Sequence, residues 1–442
     1  MQSPAPTAQE AKLIRALGVP GLAANIVNST VGAGIFVLPA LVAAGLGAAS
    51  PLAYLVCAIA MCLFVTSFAL AGSRVSLTGG LYAYVEVAFG GYVGFLAGIL
   101  YCLTALLAVS GVVGIIAASV GALAPPFAGP VGRFIVILSV YGFLAAINIR
   151  GVRIGARAVE FVTLIKLVPL IIFIVIGIFF IQPEAIAWPG WPGSKPLGES
   201  VLVLIFAFVG VEVALVPSGE IKQPARTVPR AIFTALLVTT LLYVMIQFVA
   251  QGVLGAELSK HPDAPLAEAA GRFIGRTGRI LMLAGATVSA FGFITSDILS
   301  SPRMIFAFGR DGVLPNWFAH IHPRFRTPDV AIITYVVTAF ALSFSSTFQQ
   351  LAVLSNIAVL LLYLLCCLAT LKLIRRDVRS DGAPFYFPGA SFVPVLAIAV
   401  IIWILGHATL KEFGINALCL AVASLLFLAR WLIVARKDGA TA

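Results

Sequence analysis

The sequence predicts an all-α membrane protein of twelve transmembrane helices, the first and the sixth of them broken near the middle. Three observations carry that prediction. Hydrophobic residues make up 61% of the chain and charged residues 10%, with a mean hydropathy of +1.09, which excludes both a soluble globular chain and a disordered one. Runs of 18 or more mostly apolar residues, long enough to cross about 30 Å of hydrocarbon, recur from end to end. Two of these runs carry glycines and polar residues at mid-depth, where a simple anchor has no use for them.

The candidate spans lie near residues 18–48, 51–73, 91–122, 131–149, 158–181, 199–219, 229–254, 280–306, 329–347, 350–374, 392–410 and 415–435. The first is too long for a cleavable signal peptide and holds its small residues within itself, so it is expected to stay as a span. The six cysteines all fall inside spans without metal-ligand spacing and read as small core residues, so no metal site or cofactor is expected. The net charge of +11 invites a nucleic-acid reading, but the positive residues follow topology. Arg150, Arg153, Arg157, Lys222, Arg226, Arg230, Lys372, Arg375 and Arg376 all fall in connections on the same side as the N-terminus. The positive-inside rule makes that side the cytoplasm, which puts both termini there and implies a multi-pass protein of the cell inner membrane with the lipid bilayer as its partner. No nucleic acid is expected, and no protein partner is identified. The external connection 255–279 balances Arg272, Arg276 and Arg279 against Glu257, Asp263 and Glu268 and is read as a surface helix.

Taken in order, the first span holds Asn28-Ser29-Thr30-Val31-Gly32-Ala33-Gly34-Ile35 between apolar flanks. Each interior glycine costs a helix roughly 1 kcal/mol relative to alanine. A backbone that unwinds in hydrocarbon frees N–H and C=O groups that need partners. The freed N–H groups at the start of the second half-helix suit a carboxylate, and the freed carbonyls of the first half suit an ammonium, so an amino acid matches both. Plain helix packing through small residues is the alternative. The second span, opened by Pro51, suggests no chemistry. The connection with Gly79, Gly80, Tyr82 and Tyr84 reads as a tight turn feeding an interfacial helix.

The fifth span places Lys166 nine residues beyond Arg157, about 13 Å into the bilayer. It either snorkels toward the cytoplasm or sits in a wet cavity where its protonation changes with its surroundings. The sixth span repeats the glycine break, Phe206-Ala207-Phe208-Val209-Gly210-Val211-Glu212, and a carboxylate at this depth, Glu212, has no packing purpose. Each broken span is followed by four continuous ones. Two consecutive five-span units must enter the membrane from opposite sides, as an inverted repeat requires. The chain then divides into a cytoplasmic tail (1–17), a first five-helix repeat (18–181), a second, inverted one (199–374), two peripheral helices (392–435) and a C-terminal tail (436–442). In the eighth span Asp297 either faces a substrate cavity or solvates the cytoplasmic helix end. His320 and His322 lack a third ligand nearby and read as surface residues.

Four features, in this order, resemble the amino acid, polyamine and organocation transporter superfamily: Gly32-Ala33-Gly34-Ile35-Phe36 followed by Pro39, Gly79-Gly80-Leu81-Tyr82, Phe208-Val209-Gly210-Val211-Glu212 with Glu220 to Pro229, and Arg303 to Pro315. The resemblance implies a leucine-transporter-like five-plus-five inverted repeat working by alternating access. It implies a substrate site formed by Thr30, Val31, Gly32, Ala33, Gly34 and Ile35 with Phe206, Val209 and Gly210. In that site the backbone at Gly32, Ala33 and Gly34 holds the carboxylate, carbonyls near Thr30, Phe206 and Val209 hold the amino group, and Phe206 is an aromatic gate. It assigns Glu212 to pH sensing and Lys166 to the position of a bound ion in sodium-coupled relatives. Ala33 departs from a serine common in the family, and Asp297 stands where some exchangers carry an aromatic residue, which points toward a cationic amino acid or polyamine.

The resulting expectation is a secondary transporter of amino acids, proton-coupled and sodium-independent, with the transported proton as its only accessory. An amino acid or polyamine exchanger is the alternative. Lys166 disfavours sodium coupling, a channel needs a continuous polar lining, and no catalytic cluster suggests an enzyme.

Overall fold

A computed structural model describes residues 18–75, 81–151, 156–211, 224–310, 312–378 and 385–439. Gly79, Gly80 and Glu212 lie outside the described residues. The described residues form helices and connections, without a strand. In order the helices are α1 (Val19–Thr30), α2 (Leu38–Leu46), α3 (Ser50–Gly72), α4 (Leu81–Phe89), α5 (Gly91–Leu123), α6 (Pro130–Ile149), α7 (Ala156–Gly177) and α8 (Ser194–Phe208). They continue as α9 (Pro224–Leu254), α10 (Pro265–Phe273), α11 (Arg276–Ser300), α12 (Pro302–Arg310), α13 (Asp329–Ser345), α14 (Phe348–Arg375), α15 (Phe392–Leu405) and α16 (Leu410–Gly439).

Among the described residues, seven stretches are long and apolar enough to cross a membrane: Leu38–Gly72, Gly91–Leu123, Pro130–Ile149, Thr227–Lys260, Arg276–Arg310, Phe348–Arg375 and Leu410–Arg430. Lys166–Phe180, Asp329–Ser345 and Phe392–Leu405 are shorter apolar helices. Prolines open α1, α3, α6 and α10 within their first turn, where the missing N–H breaks no helical bond. Between α2 and α3 the chain turns at Gly47, whose φ of +53° disfavours a side chain. The connection expected to carry a surface helix does hold a helix, α10, but Pro265, Leu266, Ala267, Ala269 and Ala270 of it are buried, and its Glu268 pairs with Arg279 of α11 at 2.9 Å.

The contacts divide the chain into two compact units. The first comprises Met1–Ala97, Gly177–Pro262 and Val359–Ala408. Within it α1 and α3 pack on α9, α2 and α3 pack on α8, and α15 packs on α3. Its interior is aromatic: Tyr243 meets Phe208 at 5.3 Å and Tyr54 at 6.4 Å, both edge-on. Thr370 donates to the Ser67 carbonyl (3.1 Å), and Arg74 to the Val378 carbonyl (3.3 Å), which ties helix ends far apart in sequence.

The second unit comprises Gly98–Ile176, Asp263–Ala358 and Thr409–Ala442. In it α6 packs on α13 and α11. Gly111 lets α5 approach the start of α14, since a Cβ there would lie 3.3 Å from Phe348. Leu107, Leu351 and Leu354 form a buried cluster. Ser343 donates to the Ser110 carbonyl at 2.9 Å and meets the Tyr141 hydroxyl at 3.2 Å, so these polar side chains join helices. Leu418, Val422 and Leu425 of α16 are largely exposed. Each unit draws helices from both halves of the sequence, so compact units and sequence halves are different groupings.

Candidate functional site

The first unit contains one helix that stops and restarts, α1 with α2, and a second, α8, that ends at a glycine turn. α1 ends at Thr30, where Val31 still bonds back to Val27 (2.9 Å) but turns out of the helix with ψ of 85°. Gly32 is extended, with φ −98° and ψ −168°. A short 3-10 turn over Ala33–Phe36 follows, and α2 begins at Leu38. The first N–H groups of such a turn, those of Ala33 and Gly34, precede its internal bonds and lie at its positive end. α8 ends similarly: Val209 bonds back to Ile205 (3.0 Å), leaves the helix with ψ of 138°, and is followed by Gly210 at φ +111°.

The side chains around these breaks explain the residue types. A Cβ on Gly34 would lie 2.9 Å from Cδ1 of Phe206 and 3.3 Å from Cδ1 of Leu38, so the Phe206 ring rests directly on the Gly34 backbone. A Cβ on Gly210 would lie 2.9 Å from the carbonyl oxygen of Ser29, so the two breaks approach within van der Waals reach of one another. At Gly32 the nearest atom would be the Thr30 oxygen at 3.9 Å, which is ordinary contact. Ala33, Gly34 and Ile35 are buried, whereas Phe206, Val209 and Gly210 are partly exposed.

One residue that the sequence reading passed over joins the two breaks. Tyr243 of α9 is fully buried, and its hydroxyl lies 3.0 Å from the carbonyl of Thr30 and 3.0 Å from that of Ala207. The carbonyls concerned belong to buried residues in the last turns of α1 and α8, and the end of a helix gives them partial negative charge. Thr30's carbonyl also accepts from the N–H of Gly32 at 2.8 Å, so its two lone pairs are both engaged. The hydroxyl of Thr30 points back to Ile26 (2.8 Å) and not into the break. The signal in the sequence was a row of polar residues at every fourth position of an otherwise apolar span, Thr239, Tyr243, Gln247 and Gln251.

Lys166 and Asp297 belong to the second unit. Lys166 lies in α7, three residues before Pro169, and is buried at 7% exposure. Asp297 of α11 accepts from the Tyr335 hydroxyl (2.5 Å) and from the Ser301 hydroxyl (2.8 Å), so each of its oxygens has a donor. His320 pairs with Asp329 at 2.7 Å.

Comparison with known proteins matches residues 17–428 to the family described as amino acid permease. The chain is 29% identical over 399 residues to the serine/threonine exchanger SteT of Bacillus subtilis, an alignment covering 88% of this chain and 89% of the relative. It is 26% identical over 441 residues to the branched-chain amino acid permease BcaP of the same organism, covering 92% of each. To the arginine/ornithine antiporter of Pseudomonas aeruginosa it is 26% identical over 441 residues, covering 93% of this chain and 90% of the relative.

Proposed function

The chain belongs to the amino acid permease family of transporters, and from that premise we propose that it carries a neutral amino acid across the cytoplasmic membrane by alternating access, coupled to protons and independent of sodium. The observation that carries the reading is the meeting of the ends of α1 and α8, linked through Tyr243. The N–H groups of Ala33 and Gly34 offer a carboxylate the positive end of a helical turn. The carbonyls of Thr30 and Ala207 offer an ammonium the negative ends of two helices. Phe206, lying on Gly34, covers the backbone that the substrate must reach, as a gate does.

The ammonium has a competitor. Because Thr30's carbonyl is already engaged by Tyr243 and Gly32, substrate binding displaces the Tyr243 hydroxyl from one of its two acceptors. Lys166, buried in the second unit, is the proposed proton-coupling residue together with Glu212. Asp297, with both oxygens engaged by Tyr335 and Ser301, fits an anchor of the cytoplasmic end of α11 better than a pocket for a cationic side chain.

Among the described residues, the seven candidate spans, the three shorter apolar helices, α1 and α8 support a count of twelve crossings, and the five-plus-five inverted repeat with both termini inside is part of the proposal. Exchange is the second reading, favoured by two relatives whose names describe an exchanger and an antiporter. The deciding experiment uses purified protein in proteoliposomes. Ligands are first chosen by thermal stabilisation, since a true substrate stabilises by mass action. Uptake is then driven by an imposed pH gradient, by a sodium gradient, or by internal amino acid alone. Uptake that responds to the pH gradient with empty vesicles supports symport, and uptake that requires internal amino acid establishes exchange instead.

A further inference from the structure

Beyond Tyr243, helix α9 carries polar groups that the substrate site does not use. Thr239, Tyr243, Gln247 and Gln251 follow one another at intervals of four and so share one face of the helix. All four are buried, Gln247 wholly so. Tyr243 is engaged by the two half-helix carbonyls. The hydroxyl of Thr239, both amide atoms of Gln247 and the Oε1 of Gln251 have no hydrogen-bond partner among the described residues. The Nε2 of Gln251 reaches the Ala185 carbonyl at 3.4 Å. Across from this row Tyr54 of α3, wholly buried and with its ring against Tyr243, adds its own unpartnered hydroxyl.

A buried amide or hydroxyl left unpaired costs about 1–3 kcal/mol, and apolar side chains of the same size would avoid that cost. Several such groups along one face of one helix call for a small molecule that both donates and accepts. The oxygens are all neutral, with no carboxylate among them, so they compensate a bare cation poorly, whereas an internal water typically takes about three hydrogen bonds from groups of this kind. We propose that α9 and α3 hold a file of bound water, reaching from Tyr243 at the helix breaks past Gln247 and Tyr54 to Gln251 beside Ala185. Tyr243, whose proton is directed at carbonyls, accepts from the first of these waters. The file gives the broken ends a hydrated flank, so that Tyr243 can exchange a carbonyl for water when the substrate's ammonium displaces it. This last step rests on the transport reading given above, whereas the presence of the water does not.

The test is radiolytic labelling of the purified protein in oxygen-18 water, which marks side chains with water bound beside them. Tyr54 is expected to take up label several-fold faster than Phe64, a wholly buried residue of the same helix with no polar atom. Gln247→Leu is expected to suppress the Tyr54 label and to slow uptake while leaving stabilisation by substrate intact. Equal labelling of Tyr54 and Phe64 in the wild-type protein overturns the proposal, and that measurement needs no variant to fold. A Gln247→Leu protein that melts higher than wild type and transports at the wild-type rate overturns it as well, because that is the behaviour of a dry, unpaired amide. Labelling of Tyr54 in a protein whose uptake ignores the pH gradient leaves the water file standing and removes only the proton-coupling reading.

Discussion

A hydroxyl has one proton, and Tyr243 offers it to two carbonyls at equal distance, those of Thr30 and Ala207. Tyr243→Phe keeps the ring packing against Phe208 and Tyr54 but removes that donor. The variant is expected to lose about 1–3 kcal/mol of stability without ligand, read as a lower melting temperature, and to show a larger upward shift with substrate because the ammonium then meets freed carbonyls. An unchanged melting temperature without ligand would show that the hydroxyl contributes nothing at the breaks. The two glycines of the first break make a second contrast. Gly32 has an extended backbone that any residue adopts and open contact distances, so Gly32→Ala is expected to fold with near wild-type stability. Gly34→Leu places a branched side chain where the Phe206 ring already lies, and it is expected to abolish binding of substrate in a monodisperse protein. Retained affinity in Gly34→Leu, measured by thermal shift, would sink the assignment of this backbone to the substrate.

At the scale of elements, the breaks differ in what holds them open. In the first, the turn is made by Val31 and Gly32 without any positive φ, and the 3-10 turn over Ala33–Phe36 restarts the helix. In the second, Gly210 takes φ of +111° directly after Val209 leaves the helix, and its missing Cβ admits the Ser29 carbonyl of the first break. A side chain there is strained by its backbone and blocked by a neighbouring peptide at once. Gly210→Ala is therefore expected to destabilise by about 1–3 kcal/mol and to lower expression in the membrane, whereas Val209→Ala, at an ordinary extended position, should leave the fold intact. Equal melting temperatures for the two variants would mean that the breaks do not depend on this close approach.

For the whole molecule, helices from both sequence halves are shared between two compact units, with the breaks in the first and Lys166 in the second. Lys166 is tested where coupling is read, in vesicles with imposed gradients. Lys166→Ala is expected to abolish the response of uptake to the pH gradient, and removal of sodium is expected to leave wild-type uptake unchanged. If Lys166→Met transports with the wild-type rate and pH dependence, the amine only snorkels, and strict sodium dependence would reverse the choice of ion. The sequence by itself determined the helical membrane class, the ends of α3, α5 and α6 to within a few residues, the location of the first break and the glycine at which α8 ends, because hydropathy, proline and glycine act through neighbours along the chain. It also singled out Phe206, whose ring the structure lays on Gly34, though the contact itself joins residues far apart in sequence. Only the tertiary structure decided that Gly34 and not Gly32 is the constrained glycine of the first break, that Asp297 spends its oxygens on Tyr335 and Ser301, and that Tyr243 joins the two breaks. The reason is common to all three: each depends on which atom of a distant helix lies within about 3 Å, and the order of residues along one chain does not contain that distance.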